Sequence, residues 1–209
     1  MLKNYIINTS EFEYSAPVLT ALKPPSDAEI AFVGRSNVGK SSLINLITNH
    51  SGLARVSNTP GRTQALNFFQ IKFSEKDVDD KVRYSCYFVD LPGFGYAKVA
   101  RKQKKEWEGL VTSYLFNRPT LRQLILLIDS RREIEEEETM VASWTKRANL
   151  TVILTKVDKL NQSEKVKKRK AVSDELKIKE ENVIYSSSLL TKKFPIEPIR
   201  NKILSKVVK

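Results

Sequence analysis

Gly34-Arg35-Ser36-Asn37-Val38-Gly39-Lys40-Ser41 follows the apolar run Glu29-Ile30-Ala31-Phe32-Val33 and opens a helical periodicity from Lys40 to about Ile47. The octet matches G-x-x-x-x-G-K-[ST] in full, at the strand-to-helix junction where that motif works. Its glycines let the backbone curl so that successive N–H groups point at phosphate oxygens. The helix N-terminus adds its positive dipole end to the same anion. Lys40 then reaches the β- and γ-phosphates, and the Ser41 hydroxyl is placed to ligate Mg²⁺. The implied ligand is a nucleoside triphosphate.

Short apolar runs alternate with longer periodic ones on either side of this loop. Leu66–Phe73 and Val82–Asp90 alternate as strands do; Leu121–Asp129 and Leu150–Thr155 are dense in Leu, Ile and Val, as buried parallel strands are. Val183–Tyr185 is a sixth short strand. Helical stretches lie at Lys102–Asn117, Ile134–Arg147, Ser163–Lys177 and Glu197–Val208. This alternation predicts an α/β fold with a mostly parallel six-stranded sheet and helices on both faces, which with the phosphate loop makes a P-loop NTPase. Leu66–Phe73 and Val82–Asp90 lack a helix between them, so a hairpin and one antiparallel edge strand are expected. Residues 1–25, with Pro17, Pro24 and Pro25, read as an extended lead-in, and residues 26–209 as a single nucleotide-binding domain.

Composition narrows the class. The 209 residues carry 36 Lys plus Arg against 24 Asp plus Glu, a net charge of +12 that calls for a polyanionic partner. The single Cys86 rules out an intramolecular disulfide framework, and the single His50 rules out a His-cluster metal site. The longest apolar run, Leu124–Ile128, is far short of the roughly 20 residues of a membrane span. The opening MLKNYIINTSEFEYS lacks the pattern of a signal peptide, so a cytoplasmic protein with no membrane partner, and a monomer, is expected.

Leu154-Thr155-Lys156-Val157-Asp158, closing a buried strand, selects the base. An Asp there can accept from guanine N1–H and the exocyclic amino group, a donor pair that adenine lacks, while the stem of Lys156 lies over the base plane. Ser186, Ser187 and Ser188 end the last strand at the same edge of the sheet, where a backbone N–H can meet guanine O6. Asp90-Leu91-Pro92-Gly93 ends another strand; Asp90 would hold Mg²⁺ through water and the Gly93 N–H would sense the γ-phosphate. Between this segment and the P-loop lies Thr59-Pro60-Gly61-Arg62-Thr63-Gln64, in which a threonine can close onto Mg²⁺ when the γ-phosphate is present. Spacing alone does not decide between Thr59 and Thr63; we choose Thr63.

GRSNVGKS, TPGRTQ, DLPGFGYA and TKVD, in this order, resemble the EngB family of bacterial GTPases, which act in assembly of the large ribosomal subunit and are linked to normal septation. The likeness spans roughly residues 4–208 and implies a small GTPase-like P-loop NTPase fold. It implies GTP and GDP contacts from Gly34 through Ser41, Gly61 through Ala65, Asp90 through Gly93, Thr155 through Asp158, and Ser186 to Ser188, with Mg²⁺ on Ser41 and Thr63. Lys40, Thr63 and Gly93 carry the catalytic roles, and a large-subunit precursor is the implied partner. Thr155 stands where many GTPases have Asn, and a hydroxyl is not expected to bridge P-loop and base as a carboxamide does.

Phe94 occupies the position after D-x-x-G where many small GTPases carry a water-orienting glutamine. Slow intrinsic hydrolysis is therefore expected, helped by a partner group in trans or by K⁺ held at Asn37. The basic surplus falls in three runs: Lys98, Arg101, Lys102, Lys104 and Lys105 after the switch segment; Lys165, Lys167, Lys168, Arg169 and Lys170 on a helix; and Lys192, Lys193, Arg200, Lys202, Lys206 and Lys209. The first run borders a segment that responds to the γ-phosphate, which points to contact with ribosomal RNA. Glu133 and Glu135 through Glu138 form an acidic block suited to a helix start, and Trp107 and Trp144 are expected in or near the core. Another translation-associated GTPase is the alternative, and a P-loop small-molecule kinase is the more remote one.

Overall fold

In a computed structural model, residues 3–55, 65–76, 83–95, 101–144, 148–189 and 191–208 are described, without the side chains of residues 101–104. The strands are β1 Tyr5–Ala16, β2 Ala28–Gly34, β3 Leu66–Glu75, β4 Arg83–Asp90, β5 Leu121–Asp129, β6 Asn149–Thr155 and β7 Val183–Tyr185. The helices are α1 Lys40–Thr48, α2 Arg101–Asn117, α3 Glu136–Ser143, α4 Gln162–Glu175 and α5 Glu197–Leu204. One sheet runs in the order β1-β3-β4-β2-β5-β6-β7.

Alternation along the central strands sorts the core into two layers. In β2, Ile30 and Phe32 face a cluster with Leu43, Ile44 and Ile47 of α1 and Ile199, Ile203 and Leu204 of α5. Ala31 and Val33 face the opposite cluster with Val111 and Tyr114 of α2, Val141 of α3 and Val172 of α4. Period-2 side chains on a strand buried on both faces produce this division, and each large side chain removed from water contributes about 1.5–3 kcal/mol.

The mostly parallel sheet with helices on both faces agrees with the sequence reading, but the sheet has seven strands rather than six. Tyr5–Ala16, read as part of a lead-in, is β1. It pairs antiparallel with β3 from Tyr5↔Glu75 to Ala16↔Leu66, with irregularities between Ile7 and Thr9 and between Phe12 and Tyr14. Tyr14 stacks on Phe68 at 4.4 Å between centroids, and Tyr5 meets Phe73 edge-on. β3 is antiparallel to both β1 and β4, so the reversed strand lies one place in from the edge. The sheet thus has the expected antiparallel edge, with β1 added as a seventh strand outside the β3–β4 hairpin. α3 is shorter than the predicted Ile134–Arg147, and residues 145–147 lie outside the described residues.

β2 lies between β4 and β5, with the chain's crossovers leaving it in opposite directions. At such a switch point the carboxyl ends of the strands leave a crevice. Every candidate site segment in the described residues lies at that end.

Candidate nucleotide-binding site

The P-loop forms because two positions need backbone freedom and one needs absence of a side chain. Gly39 sits at φ 106° and Asn37 at φ 61°, both left-handed. A Cβ on Gly34 would come within 2.8 Å of the Leu127 carbonyl oxygen, so only glycine lets β2 pass β5 there. Asn tolerates the left-handed region better than most residues, which gives Asn37 a loop-shaping role.

Lys40 Nζ meets the Asp90 carboxylate, both side chains nearly buried. Gly93 lies directly over the loop: a Cβ on it would stand 3.2 Å from both the Gly34 carbonyl and Ser36 Oγ. Phe94 continues the contact, its N–H donating to Gly34 O at 3.3 Å and its carbonyl accepting from Ser36 N–H at 3.0 Å. The Phe94 ring is buried against Trp107, whose Nε1–H donates to the Pro92 carbonyl at 2.8 Å. Trp107, expected to be core, thus also anchors the Asp90–Gly93 segment, a role nothing in its local sequence signals. Trp144 packs on it at 6.3 Å.

Arg35 carries the acidic block. Its guanidinium lies 2.8 Å from Glu135, 3.5 Å from Glu138 and 3.7 Å from Glu137, and against Gly95 and the Phe94 ring. Glu135 and Glu138 also form a capping box on α3. Burial pushes the Glu138 carboxyl up, with Arg35 opposing it. The block starts a helix as expected, and the tertiary structure turns it onto the P-loop as well.

The base-side corner is closely tied. Thr155 Oγ1–H has the Val38 carbonyl at 2.8 Å and that of Ile128 at 3.3 Å. The hydroxyl reaches the P-loop, and its single hydrogen leaves no second donor for a base. Lys156 Nζ donates to the Asn37 carbonyl and to Asp129 Oδ2, each at 2.9 Å. Ser187 Oγ–H donates to Asp158 Oδ1 at 2.6 Å, and this bond holds the Asp158 carboxyl below its usual range. Ser186 N–H is committed to the Leu154 carbonyl at 2.8 Å, Ser187 is buried and Ser188 is exposed. Val157 is buried between the two halves of this corner.

Arg35 to Val38, Asp129, Arg131 and Lys156 are among the residues lining a cavity of about 450 Å³. Ser36 Oγ is buried with no hydrogen-bond partner among the described residues, and an orphaned hydroxyl in a P-loop is what a phosphate oxygen satisfies. Ser41 follows Lys40 in the first turn of α1, and Ala65 and Leu91 flank the strands beside it. Gly61, Arg62, Thr63 and Gln64 lie outside the described residues, as does Thr59.

A family model described as 50S ribosome-binding GTPase matches residues 29–159. A probable GTP-binding protein EngB of Clostridium acetobutylicum is 42% identical over 198 residues, 94% of each chain. That of Aliarcobacter butzleri is 44% identical over 170 residues, 79% of this chain and 84% of its own. The chain belongs to the EngB family of GTP-binding proteins. Among solved structures, a probable GTP-binding protein EngB superposes with a TM-score of 0.62 at 22% identity, covering 86% of this chain and 98% of that one. Era in complex with MgGDPNP and nucleotides of 16S ribosomal RNA gives 0.61 at 17%, covering 89% and 58%. Both share the fold. GTP or GDP as ligand and Mg²⁺ as cofactor follow from membership of this GTPase family, and the orphaned Ser36 hydroxyl fits such a ligand.

Set against the other EngB-family features, the basic runs divide unevenly. On α4, Lys168 binds the Arg132 carbonyl and Glu133, Arg169 binds the Glu180 carbonyl at 2.8 Å, and Lys165 is buried over the Phe194 ring. Lys202 donates to the Glu181 carbonyl. Much of the second run is thus spent on holding α4 in place. Lys105, Lys167, Lys170, Lys192, Lys193 and Lys206 are exposed; Arg200 is half-buried. Lys98, Lys209 and the side chains of Arg101, Lys102 and Lys104 lie outside the described residues. Among the described residues no helix is long and apolar enough to cross a membrane.

Proposed function

We propose that this chain is a Mg²⁺-dependent GTPase that acts as a nucleotide-controlled switch in assembly of the large ribosomal subunit, with a consequent effect on septation. The observation that carries the guanine reading is the Ser187–Asp158 bond, which presents an ionised carboxylate beside the Lys156 turn. Lys40 and the P-loop N–H groups bind the β- and γ-phosphates, and Ser41, Thr63 and Asp90 hold the Mg²⁺ shell. When bound, Mg²⁺ neutralises charge on the β- and γ-oxygens. Gly93 reports the γ-phosphate, and its contact with Gly34 and Ser36 passes that report to Phe94 and Trp107.

Phe94 has no group to orient water and its ring is buried, so the chain's own hydrolysis is slow. A group supplied by the ribosomal particle, or K⁺ at Asn37, raises it. The exposed lysines supply the phosphate contacts that place the protein on ribosomal RNA. The reading also rests on the family description and on the EngB relatives.

Two measurements test it. GDP should bind and ADP should not, and Asp158→Asn should exchange guanine for xanthine nucleotide. Sedimentation with large-subunit precursors should show co-migration with a non-hydrolysable GTP analogue and release with GDP. No co-sedimentation in any nucleotide state would remove the assembly role.

A further inference from the structure

Asp129 ends β5 as the register partner of Thr155. Its side chain is 8% exposed, yet four donor groups from two residues converge on it. Arg131 Nε and Nη2 grip it at 2.9 and 2.7 Å, the Arg131 N–H adds a third bond at 3.1 Å, and Lys156 Nζ binds Oδ2 at 2.9 Å. Burial pushes the Asp129 carboxyl up, but the bonds from Arg131 and Lys156 outweigh it and hold the group well below the usual carboxylate range.

Lys156 is where this matters. It sits at φ 57°, a left-handed conformation that a non-glycine residue adopts only where its surroundings impose it. That turn is what ends β6 and starts the short 3-10 turn Val157–Lys159 carrying Asp158. The only side-chain hydrogen bonds of Lys156 among the described residues go to Asn37 O and Asp129, so P-loop, β5 and the base-side turn meet at one ammonium.

We propose that Asp129 is a positioning residue of the base pocket: its carboxylate fixes Lys156, and through Lys156 the turn that presents Asp158. This rests on the guanine-nucleotide reading above. An ion pair built for stability alone would be closed off. Here Asp129, Arg131 and Lys156 all line the cavity beside the P-loop. Because the carboxylate acts on the base side, its loss weakens diphosphate and triphosphate alike, unlike loss of a γ-phosphate contact.

The test is equilibrium binding of fluorescent GDP and of a fluorescent non-hydrolysable GTP analogue to the full chain. D129N should weaken both by the same factor, about tenfold, the loss of one charged hydrogen bond. Asp129→Glu, which keeps the charge one methylene further out, should fall between wild type and D129N. K156M should also weaken both, and D129N combined with K156M should be no weaker than K156M alone, since the two residues act as one unit. Factors that multiply in the double variant, D129N matching wild type, or Asp129→Glu as weak as D129N would each overturn the proposal. A wild-type chain that binds neither nucleotide overturns the proposed function too, whereas normal wild-type binding with an unaffected D129N overturns this inference alone.

Discussion

Both ends of the sheet carry a carboxylate gripped by an arginine, and the two are built differently. At the amino ends of the parallel strands, Glu29 opens β2 and is fully buried. It accepts from Arg118 Nε at 2.8 Å, Tyr114 OH at 2.7 Å and Thr120 Oγ1 at 2.9 Å, and pairs with Arg118 Nη2 at 2.7 Å. Arg118 is spent again on the Lys23 carbonyl, tying residues before β2 to the end of α2. Burial beside Glu29 pushes the Tyr114 hydroxyl well up. At the carboxyl ends, Asp129 has comparable partners, but they are 50% and 35% exposed and face a cavity. The same chemistry serves stability where it is sealed and ligand recognition where it is open.

The largest effect is expected where that difference is greatest. Glu29→Ala leaves the Arg118 guanidinium buried without its counter-charge and should cost about 3–5 kcal/mol. Urea unfolding measures this, with nucleotide specificity of the folded fraction unchanged. A loss below about 1 kcal/mol, the scale of an exposed pair, would make the sealed end no more structural than the open one. Asp158→Asn should show the opposite profile: little change in unfolding, but a fall in GDP affinity of roughly 100-fold. That factor corresponds to charged hydrogen bonds of ~1.5–3 kcal/mol each. Competition between GDP and xanthosine diphosphate reads it.

Smaller effects refine the open end. Thr155→Val removes the donor to Val38 O and should cost about 1 kcal/mol of stability, the net value of an ordinary hydrogen bond. Replacing NaCl by KCl at equal ionic strength should raise GTP turnover if Asn37 holds K⁺, and equal rates would end that idea. The last expectation concerns pH. Asp129 and Asp158 are both held below their ordinary value of 3.8. A depressed carboxyl contributes stability that is fully present above its unfolded value and is lost as pH falls through the folded one. Their carbon-13 carboxyl titrations should therefore have midpoints below 3.8, with that contribution intact at neutral pH.

The open end was largely legible in the residue order because its chemistry is local. A P-loop needs its glycines, lysine and serine within eight residues, and D-x-x-G and T-K-x-D are equally short. β1 was not legible. Its burial pattern, with irregularities near Asn8 and Glu13, breaks the period of two that marks a strand. The strand forms because β3 offers an edge and aromatic partners, neither of which is local. Ser187, Trp107 and Arg35 likewise take their roles from residues far along the chain. A serine run, a helix tryptophan and a variable P-loop position carry no periodic signal for such partners.

The sequence alone determined which groups are available: a phosphate-loop motif, the lysine and aspartate of TKVD, a phenylalanine at position 94, and a surplus of positive charge. Those features depend on residue type over short spacings, where backbone geometry follows directly from the residues. The tertiary structure decided where the charges are spent. Lys168 and Arg169 go to holding α4, Arg35 to the acidic block, and Asp129 to Lys156. Such pairings join segments tens of residues apart, and the reason is topological: parallel strands bring their carboxyl ends together only after the crossovers have closed.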